Sequence, residues 1–167
     1  MKGAMNKMVR IWTIGIVAVL SLILTACGGG GAADGGGEPS TDGGGSANLE
    51  LTADEITFEY DKTSLTATAG QEVTLTLNNP AAIEHNWVLV NGGEDVAQAV
   101  NDAGIVVGVD AGYIPEDQSQ IIAFTELAQP GDSASVTFTA PAAGTYMYLC
   151  TVPGHFVTMK GTLTVNP

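Results

Sequence analysis

The chain has 167 residues, 45% of them hydrophobic, and a formal net charge of −13. That length suits one globular domain with its own core. Acidity on this scale disfavours nucleic acid and anionic lipid headgroups as partners and steers a protein toward a basic face, though it also serves solubility alone.

The charge is unevenly placed. Lys2, Lys7 and Arg10 stand at the N-terminus, and all 18 acidic residues follow Cys27. Past Cys27 only Lys62 and Lys160 are basic. The uncharged apolar run Ile11 to Leu24 follows the basic segment and is short for a membrane span. It leads into Leu24-Thr25-Ala26-Cys27-Gly28. This layout predicts a secretory signal over residues 1–26. Its ending resembles the lipobox of bacterial lipoproteins, which implies cleavage before Cys27 and lipidation of its thiol. An ordinary signal cut elsewhere and an uncleaved anchor are the competing readings. All three place the domain outside the cytoplasmic membrane. Lipidation would anchor it to the cell membrane, facing the periplasm or extracytoplasmic space.

Residues 27–48 then form the expected tether, acidic, glycine-rich and without apolar period. A flexible chain of about 20 such residues spans roughly 25 Å.

Residues 49–167 are the expected folded domain. Ile56, Phe58 and Tyr60 share one parity, as do Val73, Leu75 and Leu77. His85 to Val90 is a more continuous apolar run. Ser135 to Thr139, Thr145 to Cys150 and Gly161 to Val165 complete the candidate strands. Turn residues separate them, among them Asn78-Asn79-Pro80, Pro130-Gly131-Asp132 and Pro153-Gly154. Short strands with period two predict an all-β sandwich or barrel. Glu94 to Val100 breaks the rhythm with apolar spacing of three and four. We expect one short helix there, inside a long crossover running to about Gln118.

Metal-binding residue types are scarce after Cys27. The histidines are His85 and His155, the methionines are Met147 and Met159, and the only further thiol is Cys150. Cys150, His155 and Met159 fall within one ten-residue stretch around the turn Pro153-Gly154. A short loop can converge three side chains with little freedom left to lose. His85 opens a separate strand and is the remaining candidate ligand. Met147 is a rival thioether, but three residues from Cys150 on a strand puts it on the opposite face. Two imidazoles, a thiolate and a weak thioether suit one copper ion cycling between Cu(I) and Cu(II).

The segments His85-Asn86-Trp87-Val88-Leu89 and Cys150-Thr151-Val152-Pro153-Gly154-His155 through Met159 resemble the two copper-binding segments of the azurins. With the run on to Gly93 and the acidic tether, the chain is still more similar to the auracyanins, azurin-like blue copper proteins of the cupredoxin family. The resemblance implies a cupredoxin Greek-key β-sandwich. It implies His85, Cys150 and His155 as strong ligands and Met159 as a long axial one. Asn86 should tie the two loops near Thr151, and the Asn86 and Val152 N–H groups should donate to the Cys150 sulfur. The His155 ring edge should reach the surface, ringed by Pro153, Phe156 and Val157. The implied function is a monomeric, membrane-tethered carrier of single electrons in a photosynthetic or respiratory chain. Its implied donor is a quinol-oxidising membrane complex, and its implied acceptor a c-type cytochrome. Two departures stand out: Glu84 replaces the glycine whose carbonyl faces copper in azurins, and no cysteines remain for their disulfide.

Other functions fit less well. Copper chaperones favour exposed, exchangeable sites. Multicopper enzymes need more histidines than two. A Cys–His hydrolase needs its pair across a cleft. Structural zinc has little use for methionine.

Overall fold

The computed structural model describes residues 45–167. The expected signal segment, Cys27 and nearly all of the tether lie outside them. Among the described residues no helix is long and apolar enough to cross a membrane.

Among the described residues there are eight strands, one α-helix and a 3-10 turn at Val109–Ala111. The strands are β1 (Ala47–Thr52), β2 (Ser64–Thr68), β3 (Glu72–Asn78), β4 (Val88–Val90), β5 (Ile121–Phe124), β6 (Ser133–Thr139), β7 (Gly144–Leu149) and β8 (Lys160–Asn166). Helix α1 (Glu94–Val107) lies between β4 and β5. One sheet has the order β1-β3-β6 and the other β2-β8-β7-β4-β5. β1 runs parallel to β3 and β2 parallel to β8, while the other pairings are antiparallel.

Alternation explains the sandwich. Val73, Leu75 and Leu77 of β3 are buried, whereas Thr74 and Thr76 face outward. There they pair across the strands with Thr137 and Ser135, oxygen to oxygen at 2.9 Å. Leu163 and Val165 of β8 enter the same core from the other sheet. Strand β4 is buried at every residue because both its faces are covered. Leu89 faces the inter-sheet core, while Val88 and Val90 pack with Ala97 and Val100 of α1.

Strands β2 and β5 are not among the expected ones, β4 begins at Val88 rather than at His85, and three further elements depart from the sequence reading. The helix runs on to Val107 rather than stopping near Val100. Gly104 and the β-branched run Ile105-Val106-Val107 are poor helix formers, but burial of Gly104 holds that end in place. Residues 54–59 form no strand. Asp54 Oδ1 accepts hydrogen bonds from the Ile56 and Thr57 N–H groups, each at 2.8 Å, and so turns the chain. Ile56 is left 83% exposed. Finally, β1 starts at Ala47, inside the segment expected as tether.

Candidate metal centre

The copper-loop residues are held by backbone before any side chain matters. The Cys150 N–H donates to the Met159 carbonyl at 2.9 Å, closing the base of the loop. The His155 N–H donates to the Val152 carbonyl, and the Met159 N–H to the His155 carbonyl. Gly154 supplies the left-handed backbone that this winding needs, with φ 86°. His85 lies on a separate loop and is pinned by a two-way backbone pair with Ala128. Asn79, which sequence reasoning took for a plain turn residue, braces that loop. Its side chain donates to the Ile83 and Ala128 carbonyls and accepts from the Ala81 N–H.

The structure brings His85, Cys150 and His155 together as a buried cluster, one ligand atom from each within 4.8 Å of the others. The thiol sulfur lies 3.9 Å from His85 Nδ1 and 3.5 Å from His155 Nδ1. Three donors in a plane around one ion, each bonded at about 2.1 Å, stand about 3.6 Å apart. The two sulfur–nitrogen spacings fit that arrangement. Met159 is fully buried and packs in the inter-sheet core with Cys150. Met147 packs instead with Val88 and Leu149 on the helix side of the five-stranded sheet.

Around the cluster lies a second layer of contacts. The Asn86 side chain donates to Thr151 Oγ1 at 2.8 Å and to the Gly112 carbonyl at 2.9 Å, and it accepts from the Thr151 N–H at 2.9 Å. It thus binds the His85 loop, the Cys150 loop and the end of the crossover. The Tyr60 hydroxyl, fully enclosed, donates to the Asn86 carbonyl at 2.6 Å. Trp87 is buried beneath, against Tyr148 and Phe138.

Electrostatics favour an uncharged cluster when no metal is bound. Burial pushes the Cys150 thiol up to about 12, opposed by hydrogen bonds from the Asn86 and Val152 N–H groups, while the Glu84 charge adds to the rise. Burial pulls His85 down to about 4; the neighbouring His155 adds to the fall and Glu84 opposes it. His155 is lowered by burial too, again against Glu84. Loading a cation therefore releases the thiol proton, so metal affinity falls as pH falls.

One expectation needs correction. His155 keeps 4% of its surface, and Phe156 is not beside its edge at the surface. Phe156 turns inward against the helix-side cluster, with the Lys160 ammonium over its ring. The ring that covers His155 belongs to Phe58, stacked at 4.8 Å between centroids and 10° between planes. Sequence reasoning placed Phe58 on a strand; Asp54 four residues earlier was the signal for a turn.

A two-sheet sandwich with two imidazoles, a thiol and a thioether at one end defines a cupredoxin. A family model described as copper binding proteins, plastocyanin/azurin family, matches residues 47–166, and the chain belongs to that family. Auracyanin-A of Chloroflexus aurantiacus is 44% identical over 97% of this chain and 100% of its own. Auracyanin-B of the same organism is 46% identical over 68% of this chain and 49% of its own. Among solved structures, that of auracyanin A, a "blue" copper protein of C. aurantiacus, superposes with TM-score 0.71 at 48% identity. It covers 73% of this chain and 100% of its own. Dithionite-reduced auracyanin from Roseiflexus castenholzii superposes with TM-score 0.69 at 44% identity, covering 72% and 97%. The protein is thus a blue copper electron-transfer protein related to the auracyanins, not an enzyme. Its type 1 copper site is formed by His85, Cys150, His155 and Met159.

Proposed function

We propose that this chain is a lipid-anchored carrier that takes one electron from a quinol-oxidising membrane complex and gives it to a c-type cytochrome. The carrying observation is the convergence of the buried His85, Cys150 and His155 donors beside Met159. When bound, copper supplies a Cu(I)/Cu(II) couple. The chain's part is to hold the donor set rigid, so that little rearranges between the two states. Asn86 positions both ligand loops, and the Asn86 and Val152 N–H groups stabilise the thiolate.

The tethering rests on the sequence. Residues 1–26 act as a lipoprotein signal, Cys27 carries the lipid, and the segment ahead of β1 leaves the domain room to search a membrane surface. The docking face is the copper end, where Ile56, Phe58, Pro153 and Val157 are exposed. Two of the solved relatives come from photosynthetic bacteria, which supports a photosynthetic chain as the setting.

The test uses the full chain and Cys27→Ala in a bacterial host fed an alkyne-tagged fatty acid. Wild type should be labelled and sediment with membranes. Cys27→Ala should be unlabelled, yet its domain should still reduce a basic c-type cytochrome. An unlabelled wild type, or a copper-loaded domain inert toward the cytochrome, would contradict the proposal.

A further inference from the structure

The loop between β1 and β2 has no part in binding the metal, yet it carries the residue stacked on a ligand. Phe58 has φ 53°, a left-handed conformation that is costly for a bulky side chain. Strain of that kind persists where surrounding contacts enforce it. Two such contacts are present. Asp54 turns the chain just ahead of Phe58. Thr158 Oγ1 donates to the Phe58 carbonyl at 2.7 Å, while the Thr158 N–H donates to the His155 carbonyl at 3.1 Å. Thr158 therefore joins the loop bearing Phe58 to the backbone of the ligand beneath it.

The strain has a product: a nearly parallel stack of the Phe58 ring on the His155 imidazole. Both histidine ligands are buried, His85 fully and His155 with 4% of its surface left, and His155 lies on the loop that Thr158 fastens to Phe58. A plate against the face of the His155 ring opposes any swing of that ring away from the cluster. We infer that Phe58 is a positioning residue that clamps His155 in its ligating orientation, with Thr158 as the fastener. Cu(I) tolerates fewer ligands than Cu(II), so the clamp matters most in the reduced protein. This rests on the copper reading above.

The test follows Cu(I) extraction from the full-length reduced protein by excess bathocuproine disulfonate. Phe58→Leu keeps an apolar side chain but removes the ring. It should release copper about two- to tenfold faster, the range expected for loss of one aromatic stack. Thr158→Val should move in the same direction with the Phe58 ring still present. Phe58→Tyr should restore the wild-type rate. In proton spectra of the diamagnetic Cu(I) and metal-free forms, the His155 ring signals should carry a ring-current shift in wild type and Phe58→Tyr, absent in Phe58→Leu. Wild-type extraction rates in both Phe58→Leu and Thr158→Val, with thermal midpoints unchanged, would overturn the clamp alone. Failure of Phe58→Tyr to restore the rate would overturn it too. A wild-type chain that takes up no copper through Cys150 would overturn the copper reading and the clamp together.

Discussion

At the scale of single residues, Glu84 is the charge that acts on the whole cluster. It opposes the depression of both imidazoles and adds to the rise of the Cys150 thiol. A fixed negative charge favours the more positive oxidised metal. Glu84→Gln should therefore raise the reduction potential, by roughly tens of millivolts, as read by redox titration of the visible band. The imidazoles also make the metal-free domain pH-sensitive. Unfolded histidine binds a proton near 6.5, but folded His85 only near 4, and His155 shifts the same way. The unfolded chain then holds more protons, so stability rises with pH across that window. This contribution is complete above about 6.5 and lost as pH falls toward 4. Cys150 works oppositely: its pKa rises from 9.0 to about 12 on folding, so its contribution is complete below 9.0 and lost toward 12. Urea midpoints of the copper-free domain should show a plateau between these limits.

At the scale of elements, helix α1 reaches the copper site through its C-terminal end. A Cβ on Gly104 would overlap the Tyr113 carbonyl oxygen and stand 3.4 Å from the Thr151 Cβ. Tyr113 follows Gly112, whose carbonyl accepts from Asn86. Gly104→Ala gains about 1 kcal/mol of helix propensity, but overpacking against backbone costs about 1–3 kcal/mol. The overlap involves main chain that cannot swing aside, so the second effect should win. We expect lower stability in urea and a perturbed copper band. The sequence revealed these elements unevenly. Cys150, His155 and Met159 were readable because one loop carries all three, and His85 because no other histidine remains. The inner faces of β3 and β8 were readable from alternation. The loop at residues 54–59 was not, because Ile56, Phe58 and Tyr60 alternate like a strand while Asp54 captures the backbone locally. The helix was read short because propensity favours stopping where burial does not. The stack of Phe58 on His155 joins residues far apart in the chain, and no local pattern encodes it.

At the scale of the molecule, 18 acidic residues face two basic ones after Cys27. Such a surface steers a basic partner by long-range attraction. Salt screens this over about 10 Å at 0.1 M. Electron transfer to a basic c-type cytochrome should slow by about tenfold between low and physiological salt, as followed by stopped flow. An acidic cytochrome should show the reverse trend. In the proposed complex the exposed apolar residues at the copper end should make the close contact, a term that salt affects little.

The central claim is that Cys150 and two histidines hold one redox-active copper. The most direct measurement is the visible spectrum of the domain, residues 45–167, titrated with Cu(II) and then reduced with ascorbate. An intense thiolate-to-copper band at one equivalent, bleached by ascorbate, restored by air and absent in Cys150→Ser, is the predicted result. A pale spectrum that is the same in wild type and Cys150→Ser would contradict it.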